Sequence, residues 1–326
     1  EPTAGRFSSH EYIFTTILEE NNRNRVYLGD TNRLNHLMSK KLLCTFAGAF
    51  LAAPLLAQDP SPSAMWHTVG ATDYANLGAK LVGVGDLDGD GKTDFLSLAP
   101  NADVYNFSSA GRVTALSAVD GSVIWEYVGW QDAQRFGAFV SYPGDITGDG
   151  VDDFVVAEPD ANYNSMINCG RITGVSGTNG AVLWQKHGAS SNAELGRSVI
   201  AAGDSNGDGI GDLLLSQPMA STGNLTRNGV IELISGTTYI NIWTAEGTRN
   251  GEMLGAGTKI VDDVDGDALP DVVSHSPEAS TNGHYFNGVI TMLSSTDGSQ
   301  LWQLEGGSSL ERLGEAVTFG ADIDGD

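Results

Sequence analysis

Short apolar runs alternate with turns rich in glycine, aspartate and asparagine along most of the chain. Runs such as DFLSLAP (94–100) and DFVVAEP (153–159) have the length of a strand and end at a proline. Runs of this length between turn residues are typical of buried strands. The 42 glycines among 326 residues are suited to the tight turns between them. The pattern predicts an all-β fold.

The runs recur with a fixed period. Five tryptophans stand 59 residues apart, at Trp66, Trp125, Trp184, Trp243 and Trp302. The first complete unit predicts four strands, at about 79–85, 94–99, 111–117 and 122–128. Four strands per unit are typical of a β-propeller blade, and blades must stack because one sheet cannot bury both of its apolar faces. We therefore interpret the repeated tryptophan as a residue that packs one blade on the next.

The repeat also divides the chain into expected domains. The predicted blades are 71–129, 130–188, 189–247 and 248–306, followed by the start of a fifth blade at 307–326. A strand at about 63–70, which carries Trp66, is expected to complete the last blade and close the ring. Because the sequence ends inside a repeat, we expect residues 58–326 to form an incomplete ring that lacks about two to four blades.

A secretory signal precedes the repeats. From Met38 the sequence MSKKLLCTFAGAFLAAPLLAQ has two lysines, an apolar stretch and a small residue, Ala57, which predicts a signal peptide at 38–57. A transmembrane anchor is the alternative, but the apolar stretch 42–56 is shorter than the about 20 residues that span a bilayer. Residues 1–37 share nothing with the repeat and are interpreted as a non-native upstream segment, a genuine extension being the alternative.

The net charge excludes two classes of binding partner, and the cysteine content excludes a disulfide framework. The chain has 41 acidic and 17 basic residues, a net charge of −24. Nucleic acid and anionic membrane surfaces are excluded as expected partners, because they are bound through clustered lysine and arginine, and no membrane insertion is expected. Cys44 lies in the predicted signal peptide, which leaves Cys169 alone and excludes a disulfide framework.

An Asp-rich loop of nine residues occurs once in every unit. It reads DLDGDGKTD (86–94), DITGDGVDD (145–153), DSNGDGIGD (204–212), DVDGDALPD (263–271) and DIDGD (322–326). Side chains at positions 1, 3, 5 and 9 and the backbone carbonyl at position 7 provide the hard oxygen ligands that Ca²⁺ prefers. The predicted ligands are Asp86, Asp88, Asp90, Lys92 and Asp94; Asp145, Thr147, Asp149, Val151 and Asp153; Asp204, Asn206, Asp208, Ile210 and Asp212; Asp263, Asp265, Asp267, Leu269 and Asp271; and Asp322, Asp324 and Asp326.

Two other calcium-loop motifs do not fit these loops. An EF-hand needs a bidentate glutamate at position 12, where this chain has Ser97, Val156, Leu215 or Ser274, and a dockerin-like site fails for the same reason. A solvated Asp-Gly turn without metal is the remaining alternative, which the repetition in register disfavours. The fourth loop is expected to bind Ca²⁺ more weakly than its neighbours, because Ala268 replaces the glycine at position 6. The second loop, in which Thr147 provides a neutral oxygen, is also expected to have a modest affinity for Ca²⁺.

Two segments resemble a known family. FGAFVSYPGDITGDGVDDFVVAEP (136–159) and LGRSVIAAGDSNGDGIGDLLLSQP (195–218) are similar to FG-GAP repeats, those of the integrin α-subunit propeller, and the resemblance covers about 71–326. It implies that the acidic loop joins the first two strands of a blade and binds Ca²⁺. The phenylalanine of the motif is leucine in four of five repeats, and its closing Ala-Pro survives at Ala99-Pro100 alone.

The resemblance and the divergent loops together suggest a function. SAVDGSVIWEYVG (117–129) and SGTNGAVLWQKHG (176–188) also resemble the tryptophan motif of quinoprotein propellers, but no catalytic residues can be identified and the protein is not expected to be an enzyme. We predict a secreted or cell-surface, calcium-binding adhesion or ligand-binding module with a protein or glycan partner. The alternatives are a quinoprotein-like or polysaccharide-degrading enzyme and a purely structural scaffold.

The predicted ligand face consists of the loops between the second and third strands, at 101–110, 160–169, 219–228 and 278–287. They diverge while the strands repeat, and they contain residue types that are enriched at binding hot spots. The candidates are Tyr105, Phe107, Tyr163, Met166, Arg227, His284, Tyr285 and Phe286. Ordinary variable surface loops are the alternative interpretation.

Overall fold

The computed structural model describes residues 77–318 in full and, before them, the backbone of three strands. These are β1 (Tyr12–Leu18), β2 (Asn24–Asp30) and β3 (His67–Val69), which form an antiparallel sheet in that order. β3 overlaps the expected closing strand at 63–70 and pairs here with β2. The predicted signal peptide (38–57) and the fifth acidic loop, with Asp322, Asp324 and Asp326, lie outside the described residues.

Sixteen further strands form four antiparallel sheets of four strands each, one per repeat. Blade 1 contains β4 (Lys80–Gly83), β5 (Phe95–Ala99), β6 (Arg112–Leu116) and β7 (Val123–Val128). Blade 2 contains β8 (Phe139–Gly144), β9 (Asp153–Glu158), β10 (Arg171–Val175) and β11 (Val182–His187). Blade 3 contains β12 (Val199–Gly203), β13 (Asp212–Gln217), β14 (Val230–Ile234) and β15 (Asn241–Glu246). Blade 4 contains β16 (Gly257–Ile260), β17 (Val272–Ser276), β18 (Val289–Leu293) and β19 (Gln300–Glu305).

The all-β prediction and the four-stranded repeat are confirmed. The described residues contain no helix, and the four sheets do not close into a ring. In each blade the two central strands are the most deeply buried, and all residues of the second strands β5 and β13 are buried. A strand that is covered on both faces has no polar side, which explains why its sequence is an unbroken apolar run rather than an alternating one.

The blades pack side by side through their apolar faces. One core cluster joins Leu96 and Trp125 of blade 1 to Phe136 and Phe154 of blade 2. Equivalent clusters join blades 2 and 3 and blades 3 and 4. A repeated glycine permits this approach: a Cβ on Gly170 would overlap the backbone of Leu195, where the chain enters the next blade.

The repeated tryptophan packs against the next blade at all three described junctions, and at two of them it is buried and hydrogen-bonded to that blade. Trp125 and Trp243 are buried, and each indole Nε1 donates to a backbone oxygen of the next blade, that of Gly177 at 2.7 Å or Ser295 at 2.6 Å. Each ring lies over a glycine of that blade, Gly180 or Gly298.

Trp184 departs from this arrangement because blade 3 has Tyr239 in place of that glycine. Tyr239 stacks on Trp184, with ring centroids 4.8 Å apart. The indole instead covers Gly174 of its own blade, where a Cβ would overlap Nε1. The equivalent residues in the other blades are the larger Ala115, Leu233 and Met292. Tyr239 of blade 3 thus takes the place of a glycine, and Gly174 of blade 2 leaves room for the Trp184 indole.

Candidate functional site

The acidic loops join the first and second strands of each blade, so the antiparallel order brings them to one side of the molecule. The turns between the third and fourth strands lie on the same side. We call this side the metal-loop face; it consists of loops 86–94, 145–153, 204–212 and 263–271 and turns 117–122, 176–181, 235–240 and 294–299. The loops between the second and third strands, with the connections between blades, form the opposite face.

The first aspartate organises each acidic loop. Asp86 Oδ1 accepts hydrogen bonds from the backbone N–H groups of Gly89 (2.8 Å) and Asp90 (3.1 Å), and Oδ2 accepts from Gly91 (2.8 Å). Asp145, Asp204 and Asp263 likewise accept hydrogen bonds from the N–H groups of the third and fifth residues that follow them. The N–H groups hold the pKa of Asp145 and of Asp263 below its ordinary value, because they stabilise the carboxylate.

The ninth residue fastens the loop to the neighbouring turn. Asp94 is buried; its Oδ2 accepts from the N–H of Leu87 at 2.8 Å and its Oδ1 from that of Ala118 at 3.0 Å. Asp153, Asp212 and Asp271 bridge loop and turn in the same way. Burial raises the pKa of Asp94, Asp153 and Asp212 above the ordinary value, because desolvation disfavours the charged carboxylate.

Carboxylate oxygens converge in two of the loops. Oxygens of Asp86, Asp88 and Asp94 lie within 4.8 Å of one another, and so do those of Asp263, Asp265 and Asp267. In the other two loops position 3 is neutral, and Asn206 Nδ2 donates to Asp212 Oδ1 at 3.0 Å. At position 7, the N–H groups of Lys92, Val151, Ile210 and Leu269 donate to the position-5 carboxylates. A set of crowded hard oxygens fits a divalent cation such as Ca²⁺, which would neutralise them.

The fourth loop adopts the backbone of the others without the glycine. Ala268 has φ 71°, where Gly91 has 82° and Gly209 has 89°. An L-residue in this region is strained, and the strain expected from the sequence is therefore present in the loop.

A hydroxyl on the neighbouring turn, which sequence reasoning missed, contacts the fifth residue of three loops. Thr178 Oγ1 donates to Asp149 Oδ2 at 2.6 Å, and Thr296 Oγ1 donates to Asp267 Oδ2. In blade 3 Ser235 Oγ donates to Asp208 Oδ2 at 3.3 Å. Blade 1 has Val119 at the threonine position. The sequence did contain a signal for these hydroxyl contacts, because the 59-residue spacing places Thr178, Thr237 and Thr296 at equivalent positions.

Repeating polar residues hold the opposite face. The N–H of Ser109 donates to Asp103 Oδ1 at 2.8 Å, and the N–H of Ser108 donates to Asp132 Oδ1 at 2.8 Å. Equivalent bonds are accepted by Asn162, Ser221 and Ser280 and by Ser191, Asn250 and Ser309. The loops that diverge in sequence therefore share a similar backbone framework, which the sequence analysis did not detect.

The candidate ligand residues differ in exposure. Tyr105 is 87% exposed, Tyr285 72% and Phe286 45%, whereas Phe107 is at 36%. Tyr163 stacks on His187, with ring centroids 3.6 Å apart. Met166 and His284 are partly buried, and Arg227 is exposed.

Tyr105 occupies a backbone position that suits smaller residues. It has φ 53°, and the equivalent residues in the other loops are Asn164, Gly223 and Asn282, all with positive φ. Asparagine and glycine tolerate this conformation, whereas an aromatic residue is unusual there. Such a departure at an exposed loop tip is a feature that function often explains.

Residues 81–116 match the family model described as FG-GAP repeat. The matched segment runs from β4 to β6 and contains the first acidic loop. With the four repeated sheets, the match is consistent with an FG-GAP β-propeller. FG-GAP repeats are typically non-enzymatic ligand-binding or adhesion modules and occur in extracellular domains. Within the part of the chain that the structure describes, no helix is long and apolar enough to cross a membrane.

Proposed function

We propose that the acidic loops bind Ca²⁺ and that the ion fastens each loop to its blade. Two carboxylates 4 Å apart repel by about 1 kcal/mol in water and about 4 kcal/mol at an effective dielectric constant of 20. Oxygens of Asp86, Asp88 and Asp94 lie within 4.8 Å of one another, so three carboxylates repel at a comparable separation. A bound cation would relieve this repulsion and would hold the position-9 aspartate, and with it the neighbouring turn. Asp322, Asp324 and Asp326 are included in the proposal on sequence alone.

The opposite face is the proposed ligand-binding surface of a secreted adhesion or recognition module. Its loops are held by repeating hydrogen bonds, so their side chains can vary without loss of the backbone framework. Tyr105, Tyr285 and Phe286 are exposed there, and aromatic residues provide large contact areas with little loss of side-chain entropy. This contrast between a repeating metal-loop face and a divergent opposite face is the observation that carries the proposal.

Alanine substitution on each face tests whether the opposite face is the ligand-binding surface. The full chain would be screened against a glycan array and a panel of immobilised extracellular matrix proteins. A variant with alanine at Tyr105, Phe107, Tyr163, Tyr285 and Phe286 is compared with wild type. The control variant has alanine at Val119, Ile240 and Val264, which are equally exposed on the metal-loop face. We expect the first variant to lose binding and the control to retain it; equal binding by both variants would contradict the proposal.

A further inference from the structure

A cavity of about 190 Å³ lies between blades 3 and 4. Met219, Met253, Pro218 and Pro277 give it apolar walls, while Arg197, His275 and Glu278 add polar groups. Pro218 and Pro277 follow the second strands of their blades, which places the cavity at the opposite face. None of the exposed aromatic candidates lines it.

Arg227 contacts two methionines of this cavity and has no acidic partner among residues 77–318. Its Nη2 is 3.3 Å from Met219 Sδ and 3.6 Å from Met253 Sδ. Every other arginine in residues 77–318 has a carboxylate oxygen within 4.0 Å. Glu278, the carboxylate of the cavity, is 3.6 Å from Arg312. Arg227 is therefore the arginine of the described chain whose guanidinium is available to an external anion.

The repeat shows that this junction is the exception. At the junction of blades 1 and 2, the residue equivalent to Met253 is Arg135, which pairs with Asp160 at 2.9 Å. At the next junction it is Glu194, which lies 3.7 Å from Arg197. Only the third described junction has a methionine there; its second methionine, Met219, stands where the first junction has Asn101 and the second has Asp160. Two methionines thus give this junction an apolar floor beneath Arg227, while Glu278, the counterpart of Asp160, is 3.6 Å from Arg312.

Two further residues depart from the repeat at the same place. His275 lines the cavity, and its buried Nδ1 has no hydrogen-bond partner among the described residues; the equivalent residues are Leu98, Ala157 and Ser216. Arg227 itself has φ 50°, at a position occupied elsewhere by Ser109, Asn168 and Phe286. Met219, Met253 and His275 line the cavity, and Arg227 contacts both methionine sulfurs; none of these four residue types occurs at the equivalent position of another described blade.

We infer that this cavity binds an organic carboxylate with a short apolar stem. The guanidinium of Arg227 is suited to pair with a carboxylate through two parallel hydrogen bonds. The methionine side chains are adaptable and would contact the stem, while His275 Nδ1 offers a further polar contact. The same chemistry occurs in a free aliphatic acid and in an acidic side chain of a protein ligand. The inference deepens the proposed ligand-binding role of the opposite face and does not depend on calcium.

Methionine methyl NMR of the full chain tests the site, since the protein has only 6 methionines. Hexanoate is one probe, a terminally blocked peptide with a single glutamate is the second, and hexylamine is the control. We expect hexanoate to shift the methyl signals of Met219 and Met253 but not that of Met166. A matching shift by the peptide would identify a protein side chain as a source of the carboxylate; a shift by hexanoate alone would identify a free acid.

Three variants make the test specific. Arg227→Gln should weaken hexanoate binding by about tenfold or more, whereas Arg135→Gln, at the junction of blades 1 and 2, should leave it unchanged. Met219→Asp restores the aspartate of blade 2 and should abolish binding, because its carboxylate would occupy Arg227. The remaining methyl signals report whether each variant is folded.

Three results would overturn the inference: no shift with either carboxylate probe, an equal shift with hexylamine, or wild-type affinity in Arg227→Gln. These results concern the cavity alone. The alanine variant of the exposed aromatic residues keeps Arg227 and both methionines, so loss of the ligand surface and loss of the cavity site are measured separately.

Discussion

The two faces of the molecule are built from the same repeat but use it differently. On the metal-loop face both the backbone and the chemical groups recur, from the first aspartate that closes the loop to the buried ninth aspartate that reaches the next turn. On the opposite face the hydrogen bonds to the loop backbone recur, whereas the side chains at 105–109 and the equivalent positions largely differ between blades. The comparison indicates that a face under one common chemical constraint keeps its side chains, while the proposed ligand-binding face keeps mainly its backbone framework.

The largest loss of stability is expected when the aspartate that joins an acidic loop to the neighbouring turn of the metal-loop face is removed. Asp212→Ala removes the acceptor of the N–H groups of Ser205, Asn206 and Gly236. Leaving such groups unpaired costs about 1–3 kcal/mol each when buried, so we expect a loss of about 3 kcal/mol or more in urea unfolding with chelator present.

The matched variant on the opposite face is Asp103→Ala, which removes one exposed hydrogen bond, from the N–H of Ser109. It should lower the free energy of unfolding by about 1 kcal/mol or less. Equal losses in the two variants would contradict the special role of the ninth aspartate.

The second largest loss of stability is expected from crowding Trp125 against the turn at 176–181. Gly180 has φ 71° and a Cβ there would lie 2.9 Å from the ring of Trp125, whereas Gly223, on the opposite face, has φ 57° and open space around it. Alanine at either position strains the backbone by about 1–2 kcal/mol. Overpacking against Trp125 should add about 1–3 kcal/mol for Gly180→Ala alone. Urea unfolding of both variants measures the difference, and its absence would show that Trp125 does not constrain the turn.

A smaller effect should come from the fourth loop. Ala268→Gly removes the strain at φ 71°, and after the greater unfolded-state entropy of glycine is subtracted it should stabilise the protein by about 0.5–1 kcal/mol. It should also raise the calcium affinity measured by titration calorimetry. Gly209→Ala is the reverse change in the third loop and should have the opposite sign in both measurements.

The smallest expected effect is a pH dependence on the opposite face. Burial, with a smaller contribution from the charge of Arg171, lowers the pKa of His187 from its ordinary value of 6.5. The unfolded chain therefore takes up a proton before the folded protein does, so stability is lost as pH falls below 6.5 toward the folded pKa. Between about pH 7.5 and 5.5 the Tm of wild type should fall more than that of His187→Gln. The same change of Tm with pH in wild type and in His187→Gln would contradict a lowered pKa of His187 as the source of the pH dependence.

The 59-residue spacing was sufficient to predict the blades, because each strand and each acidic loop depends on residues close to it in sequence. The strands predicted for the first unit differ from β4–β7 by few residues at their ends. The exchange at Gly174 and Tyr239 was not predicted, since it joins positions 65 residues apart in two blades whose contact only the structure shows. The cavity beside Arg227 was missed for the same reason: sequence reasoning placed Arg227 on the ligand face but could not place two methionines beneath it.

Calcium dependence of the whole chain is the most direct test of the metal assignment. Extracellular modules bind Ca²⁺ at roughly 10⁻⁴–10⁻³ M, so millimolar Ca²⁺ should add about 1 kcal/mol of stability for each occupied loop. We predict that EDTA lowers the Tm by several degrees and that Ca²⁺ in excess of the chelator restores it. A Tm that is the same in EDTA and in Ca²⁺ would contradict the account.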